Sequence, residues 1–387
     1  MLYYLLRAIV RFALLFFCRK IVFNTKKYCN TKGPLLLAVN HPNSFLDAII
    51  IGVFFKQPVH FLARGDVFKK SIALKLLTAL HCIPVYRLRE GKEYLHLNDT
   101  TFEKCRAIFA KGGIVLIFSE GLCLNEYNLR PLKKGTARLA LSSWQQANIG
   151  HKLSILPIGI TYSSFTNGLK KVWVNYGNLI TATDIDTTQT EGNIHAQINV
   201  LLTQQLQQLC ITNVPYTADA INKFSFVLNN STVTTAAQFN TFNNHTTAII
   251  HSIREQPIAA IHHSATSSKM YYQSILLAVL LFPISLPALL LYYPIYVAVK
   301  HKIKRSKLPS EHYDSLILVA NTLVFVAIQP LILIMLLISI KSWTLALALP
   351  ILLIVSTYFL TKWLLHWHRF WNYHKLTNEQ RVTLQRY

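Results

Sequence analysis

Two residues in the segment NHPNSFLD, which covers residues 40–47, have side chains suited to acid–base chemistry. His41 can take up a proton near neutral pH. Asp47 follows six positions later, close enough to hold the imidazole in one tautomer and to stabilise the imidazolium. The chain has no GxSxG nucleophile motif, so we expect the proton to come from a hydroxyl group of a substrate. The alternative is that both residues only form the polar start of a helix.

A second segment has the composition of an anion-binding site. Phe118-Ser119-Glu120-Gly121 is followed by the basic stretch 130–138, which contains Lys133 and Lys134. Backbone amides at a loop glycine, with Lys and Arg side chains beyond it, can bind an anionic group such as a phosphate. We therefore expect this region to contribute to substrate binding.

Two further segments complete the set. The segment IPVYR at 83–87 places Arg87 just after an apolar run, and the segment LPIGI at 156–160 is an apolar run interrupted by Pro157. A guanidinium can bind a phosphate with two parallel hydrogen bonds. Each motif is a weak signal by itself, but all four lie in or at the end of an apolar run. The ends of strands are where sites form in open α/β sheets.

The elements that must position these residues are apolar runs alternating with helical patterns. The runs typical of strands cover 35–39, 59–63, 83–86, 114–118, 155–162 and 172–174. The helical patterns between them cover 45–55, 72–80, 101–110 and 137–146. This alternation predicts an α/β fold with a mostly parallel sheet covered by helices.

The composition indicates a membrane-associated protein. The 387 residues include 39 Lys and Arg against 16 Asp and Glu, a net charge of +23, while 52% are hydrophobic and only 14% charged. This combination excludes a disordered chain, and scattered cysteines without a CxxC motif argue against a disulfide framework or a zinc site. Nucleic acid is not an expected partner, because the basic residues flank apolar segments and no nucleic-acid-binding motif is present.

Three predominantly apolar stretches in the C-terminal third exceed the roughly 20 residues of a helical membrane crossing. They lie at 270–299, 315–340 and 342–364. We predict transmembrane helices for the second and third. The first contains Pro283, Pro287 and Pro294, which favour a re-entrant hairpin, with a kinked spanning helix as the alternative. The basic cluster at 300–307 predicts that the adjoining loop and the α/β domain face the cytoplasm.

The chain therefore divides into five predicted parts. They are an interfacial membrane helix (1–24), the α/β domain (25–216), a polar helical or partly ordered linker (217–269), the membrane region (270–375) and a tail (376–387). The first part is apolar, but Arg7 and Arg11 lie on one helical face, which favours a helix lying in the membrane interface over a signal peptide.

In their order along the chain, the four motifs resemble the four sequence blocks of the glycerolipid acyltransferases, the family of lysophospholipid and glycerol-phosphate acyltransferases. The resemblance covers roughly residues 31–177. It implies that His41 is the general base and Asp47 its orienting partner. It further implies roles for residues of the other three blocks. Arg87, Glu120 and Gly121 would bind the glycerol phosphate, the adjacent Ser119, Lys133 and Lys134 would complete the substrate-binding set, and Pro157 would lie near the acyl donor.

The sequence departs from the usual family pattern at three points. Five residues separate His41 from Asp47 where four are usual, His81 replaces a glycine at the start of the second block, and Ser119 replaces a proline. The longer spacing, the basic run at 130–135 and the long apolar C-terminal region resemble the long fungal-type glycerol-3-phosphate and dihydroxyacetone-phosphate acyltransferases and their bacterial relatives.

The resemblance implies a multi-pass membrane O-acyltransferase of phosphatidic acid synthesis. It would move a fatty acyl group from acyl-CoA or acyl carrier protein to a hydroxyl of glycerol 3-phosphate. The alternatives are a lysophosphatidate acyltransferase and a non-catalytic lipid-binding protein of the same fold. No permanently bound cofactor and no metal are implied. The expected partners are the phospholipid membrane, the glycerol-phosphate acceptor and acyl carrier protein.

Overall fold

The computed structural model describes residues 2–87, 91, 93, 96–165, 168–231, 233–254, 268–340 and 342–374. The predicted tail at 376–387 and the stretch 255–267 of the predicted linker lie outside the described residues.

A seven-stranded sheet forms the centre of the described N-terminal part. Its strands are β1 (Cys18–Phe23), β2 (Leu35–Val39), β3 (Val59–Arg64), β4 (Cys82–Val85), β5 (Ile114–Phe118), β6 (Ser154–Tyr162) and β7 (Lys170–Tyr176). Their order is β1-β7-β6-β2-β5-β3-β4, and every neighbouring pair is parallel except β6–β7. The predicted mostly parallel sheet is thus confirmed.

Helices cover both faces of this sheet. They are α1 (Leu2–Phe17), α2 (Phe45–Phe54), α3 (Ser71–Ala79), α4 (Leu97–Ala110), α5 (Lys134–Trp144), α6 (Glu191–Leu209), α7 (Ala218–Asn230), α8 (Ala236–Asn244) and α9 (Thr246–Arg254). In β2, Leu35, Leu37 and Val39 face one core, while Leu36 and Ala38 face the other. Because successive side chains of a strand point to opposite faces, a strand with both faces buried is apolar throughout.

Two predicted boundaries are wrong. The predicted interfacial helix over 1–24 ends at Phe17, and β1 pairs with β7 at the edge of the sheet. Charged residues are common on edge strands, so Arg19 and Lys20 concealed this strand. The predicted linker at 217–269 is helical in its described part, but it belongs to the domain, because α7 and α8 bury Phe224 and Phe239 against the sheet.

Three long apolar helices follow: α10 (Ser268–Lys304), α11 (Tyr313–Ser339) and α12 (Trp343–His374). Each contains a stretch long and apolar enough to cross a membrane, which indicates a membrane protein. Of the two predicted alternatives for this stretch, the re-entrant hairpin is wrong, since α10 is one helix that continues through all three prolines. Neighbouring helices can satisfy the backbone groups that a proline frees, and the backbone N–H of Ala288, next to Pro287, donates to Ser356 Oγ of α12 at 3.1 Å.

Candidate active site

The loop between β2 and α2, residues 40–44, brings His41 and Asp47 together, and we call it the catalytic loop after its predicted role. His41 lies two residues beyond the end of β2, and Asp47 lies in the first turn of α2, where the helix dipole favours a carboxylate. The loop turns sharply because Ser44 adopts a positive φ of 48°. As a result, His41 Nδ1 is 2.9 Å from Asp47 Oδ2. With Asp47 ionised, Nδ1 carries the hydrogen and Nε2 is left as the acceptor that a general base needs.

Asp47 is fixed from three directions. It is fully buried, its Oδ2 also accepts the backbone N–H of Asn43 at 2.8 Å, and its Oδ1 accepts the hydroxyl of Tyr162 at 2.7 Å. Burial raises the pKa of Tyr162 well above its usual value, so the phenol stays protonated and donates. These hydrogen bonds hold the carboxylate in the orientation that His41 requires.

The imidazole is also held from its face and from its backbone. The ring of Phe118, the last residue of β5, stacks on His41 with centroids 3.6 Å apart and an angle of 9° between the planes. The side chain of Asn40 exchanges two hydrogen bonds with the backbone of Ile160 and so extends the β2–β6 pairing up to the catalytic loop. The side chain of His41 is only 11% exposed, which limits its access to a narrow approach.

Glu120 connects the loop after β5 to the catalytic loop. Its Oε1 accepts the backbone N–H of His41 at 2.9 Å, and its Oε2 accepts the backbone N–H of Arg130 at 3.0 Å. Burial raises the pKa of this carboxyl to about 7, although the two backbone donors act in the opposite direction. Both oxygens are thus engaged within the protein, and the geometry gives Glu120 a positioning role in addition to the predicted contact with substrate.

The other residues of the predicted anion site border the same loop. Ser119 is buried, and its hydroxyl accepts a hydrogen bond from Thr136 at 3.0 Å. Gly121 has a φ of +65°, and an added Cβ would lie 3.0 Å from Lys133 Cγ. Lys133 and Lys134 are exposed at the start of α5, where the helix dipole and the free backbone N–H groups favour anions.

Arg87 lies at the same edge of the sheet but farther from His41. It follows β4, which is three strands from β2 in the sheet, a separation of about 14 Å at a strand spacing of roughly 4.8 Å. Arg64, at the end of β3, is one strand closer and pairs with Asp66. Cationic side chains therefore follow the carboxyl ends of two neighbouring strands.

Pro157 lies deeper than the other predicted residues. It is buried within β6, opposite Ala38 of β2, and its carbonyl accepts the N–H of Gly177 at 2.9 Å. The structure thus places it in the sheet below the catalytic loop.

Among the described residues, one group has ligand atoms close enough to hold a metal ion: His41, Asp47 and Cys123, with these atoms within 4.8 Å of one another. Its hydrogen bonds fit proton transfer better than metal binding. Asp47 already accepts three donors, and Cys123 Sγ accepts the N–H of Ser44 at 2.9 Å. Burial raises the pKa of Cys123, so the thiol stays protonated, whereas a metal binds the thiolate.

Sequence reasoning missed Tyr162, Asn43 and Phe118 as supports of the catalytic pair. Phe118 and Tyr162 are the last residues of two predicted strands that flank β2. Because the carboxyl ends of neighbouring parallel strands lie together, the sequence could have predicted that Phe118 and Tyr162 lie near His41. Asn43 gave no such signal, because only the folded loop aims its backbone N–H at Asp47.

Comparison with known proteins gives a family match for the N-terminal part of the chain. Residues 20–161 match the protein-family model described as Acyltransferase. No curated protein matches the chain. Among solved structures, the chain is similar to the 1-acyl-sn-glycerophosphate (LPA) acyltransferase PlsC from Thermotoga maritima, with 14% identity over 52% of this chain and 79% of that chain and a TM-score of 0.36.

The matched range contains the catalytic loop, the loop after β5 and Pro157, all on one parallel sheet. Residues 20–161 are therefore similar to an acyltransferase domain, and this match supports an acyltransferase.

Proposed function

We propose that this enzyme transfers a fatty acyl group from an acyl thioester, acyl-CoA or acyl carrier protein, to a hydroxyl group of glycerol 3-phosphate at the surface of a membrane. The product would be a precursor of phosphatidic acid. The observation that carries this proposal is the hydrogen bond of 2.9 Å between His41 Nδ1 and Asp47 Oδ2. It leaves Nε2 free to act as the base. Because the chain has no GxSxG motif, the group that this base activates is a hydroxyl of the acceptor.

The reaction follows from that arrangement. His41 Nε2 takes the proton of the acceptor hydroxyl while the hydroxyl oxygen attacks the thioester carbonyl carbon. The new C–O bond forms, the C–S bond breaks, and the imidazolium returns its proton to the departing thiolate. Asp47 stabilises the imidazolium between these steps, as the carboxylate of a hydrolytic triad does. Phe118 limits the rotation of the ring, so that Nε2 keeps one direction.

A phosphorylated acceptor is supported by charge. Arg64 and Arg87 lie at the carboxyl ends of β3 and β4, and Lys133 and Lys134 lie beside Gly121 at the start of α5. The net charge of +23 also favours anionic lipid, the phosphates of coenzyme A and an acidic carrier protein.

Glycerol 3-phosphate is favoured as the acceptor by the five-residue spacing between His41 and Asp47, in which the chain resembles the long glycerol-3-phosphate acyltransferases. The three long apolar helices support a membrane location. The positive-inside rule supports placing the domain on the cytoplasmic face, because the basic cluster at 300–307 shortly precedes His312 and Asp314, which contact the catalytic loop.

The test is an acceptor and donor matrix. Membranes containing the full chain are incubated with labelled glycerol 3-phosphate, dihydroxyacetone phosphate or lysophosphatidate, each with acyl-CoA or acyl carrier protein. We expect acylation of glycerol 3-phosphate, and we expect His41→Ala to lower turnover at least a thousandfold, since acid–base catalysis and the orientation of the base are both lost.

The matched control is His151→Ala, which removes an exposed histidine outside the site and should leave turnover unchanged. Asp47→Asn should be less severe than His41→Ala but far from neutral, because the tautomer changes while much of the geometry survives. Full activity of His41→Ala would contradict the mechanism. Acylation of lysophosphatidate alone would contradict the proposed acceptor and leave the mechanism standing.

A further inference from the structure

The catalytic loop is contacted by a part of the chain far outside the acyltransferase domain. Asn43 Nδ2 donates to Asp314 Oδ2 at 2.8 Å, and the hydroxyl of Ser44 forms a hydrogen bond with His312 Nδ1. Asp314 lies in the first turn of α11, and His312 immediately precedes this helix. Asn43 and Ser44 both lie between His41 and Asp47. The apolar C-terminal region thus contacts the loop that carries the catalytic pair.

Asp314 is held in place by a second partner. It forms an ion pair with Lys170 of β7, and the side chain of Lys170 is fully buried while that of Asp314 is 7% exposed. A buried ion pair is stable only if further hydrogen bonds satisfy its remaining atoms. The amide of Asn43 supplies one of these bonds. Asp314 is therefore attached to the sheet through Lys170, a residue outside the catalytic loop.

Asn43 transmits that position to the catalytic pair. Its side chain is bonded to Asp314, and its backbone N–H donates to Asp47 Oδ2. A carboxylate only accepts hydrogen bonds, so Asp314 also fixes which end of the Asn43 amide faces it. A continuous set of contacts thus runs from Lys170 through Asp314 and Asn43 to Asp47, which holds His41.

The loop needs such support because its backbone is strained. Ser44 has a φ of 48° and a ψ of −133°, a conformation that a residue with a side chain rarely adopts. Strain of this kind persists only where the surroundings fix the backbone. Ser44 is held by Cys123 from one side and by His312 from the other.

We propose that Asp314 is a positioning residue of the active site, acting through Asn43, so that the apolar C-terminal region is part of the catalytic scaffold as well as a membrane anchor. This inference rests on the proposed roles of His41 and Asp47. It differs from a purely structural role, in which Asp314 would only attach α11 to the sheet and would affect stability without affecting the rate of the chemical step.

The test is a double-mutant cycle in the full chain, with Asn43→Ala, Asp314→Asn and the double variant. Asn43→Ala leaves the Lys170–Asp314 pair intact and keeps the backbone N–H, so it probes the link without exposing an unpaired buried charge. We expect each single variant to lower kcat about 10- to 100-fold, the scale of a small misplacement of catalytic groups. The KM values of donor and acceptor should change less than about threefold, because neither residue belongs to the proposed phosphate site.

The cycle distinguishes coupling from two separate effects. If both residues act through one hydrogen bond, the double variant should be no slower than the slower single variant. The control is Asp219→Asn, which removes the partner of Lys223 in a more exposed ion pair within α7, with a contact of 2.8 Å, and should leave kcat unchanged. Thermal unfolding of every variant separates loss of fold from loss of rate.

Three outcomes would overturn the inference. Both single variants could fold and keep a kcat within about threefold of wild type, or the kcat losses of the single variants could multiply in the double variant. In the third outcome, Asp314→Asn is unstable while Asn43→Ala has a normal kcat. None of them affects the proposed function, which fails separately if His41→Ala keeps its activity.

Discussion

The two buried carboxylates of the site show how partners decide the behaviour of single residues. Asp47 faces the imidazole of His41, which would become positively charged in the proposed reaction, and it accepts hydrogen bonds from His41, Asn43 and Tyr162. Glu120 accepts only two backbone N–H groups, and burial raises its pKa to about 7. Asp47 is thus suited to stabilise a cation, while Glu120 joins two loops and can take up a proton close to neutral pH.

The raised pKa of Glu120 predicts a pH dependence of stability. A carboxyl with a higher pKa in the folded state than its usual value of 4.5 binds its proton more tightly when folded. Stability is therefore lost as the pH rises between about 4.5 and 7, by about 3 kcal/mol at 1.36 kcal/mol per pKa unit. Glu120→Gln removes this titration. We expect the Tm of wild type minus the Tm of Glu120→Gln to fall as the pH rises from 5 to 8, because only the wild type loses stability on ionisation.

Thermal unfolding in detergent from pH 5 to pH 8 checks this expectation. Glu103→Gln, a change of an exposed glutamate on α4, is the control and should show no such trend. A Tm of wild type minus that of Glu120→Gln that stays constant or rises with increasing pH would contradict it.

At the scale of elements, the sequence predicted the strands that are buried on both faces of the sheet. β2 and β5 have the predicted bounds, and β3 and β6 differ from them by one residue, because a strand covered on both sides is a continuous apolar run. β1 is at the sheet edge and α7 buries only one side. Charged and polar residues therefore interrupt their apolar patterns, and the sequence did not predict these two elements as part of the domain. The hydroxyl of Tyr162 and the amide of Asn43 belong to contacts across 115 and 271 positions, which no local pattern contains.

The docking of α1 on the domain gives a prediction at this scale. Arg7 Nε donates to the carbonyl of Val53 at 3.2 Å, and its Nη1 donates to the carbonyl of Lys56 at 2.9 Å. These carbonyls lie at the C-terminal end of α2, where the helix leaves acceptors without intrahelical partners and favours a cation. Arg7→Ala should therefore lower the free energy of unfolding by about 1–3 kcal/mol.

Chemical unfolding in detergent measures this change. Lys20→Ala removes an exposed cation from β1 and should have an effect within about 0.5 kcal/mol. Equal losses in the two variants would show that Arg7 acts through general charge and not through its contacts with α2.

At the scale of the whole molecule, the N-terminal and C-terminal apolar elements meet on one side of the domain. Phe12 and Phe16 of α1 approach Phe325 of α11, each with ring centroids 6.4 Å apart. Asp314 joins the beginning of the same helix to β7. The predicted membrane helix at the N-terminus and the apolar helices at the C-terminus therefore form one connected apolar assembly, and the catalytic loop lies beside the point where that assembly meets the sheet.

This connection predicts the side of the membrane on which the basic loop lies. Ser306 is eight residues before Asp314, and eight extended residues span at most about 28 Å, less than the roughly 30 Å of a bilayer core. Because Asp314 is paired with Lys170 of the domain, Ser306 must lie on the same side as the domain, and the five basic residues at 300–307 favour the cytoplasmic face.

Single cysteines at Ser306 and at the exposed Thr188, in a background without native cysteines, should react with an impermeant thiol reagent from the cytoplasmic side of sealed vesicles. A permeant reagent confirms that both are reactive. Labelling of the two positions from opposite sides would separate α11 from the domain and so contradict the contact between Asp314 and Lys170.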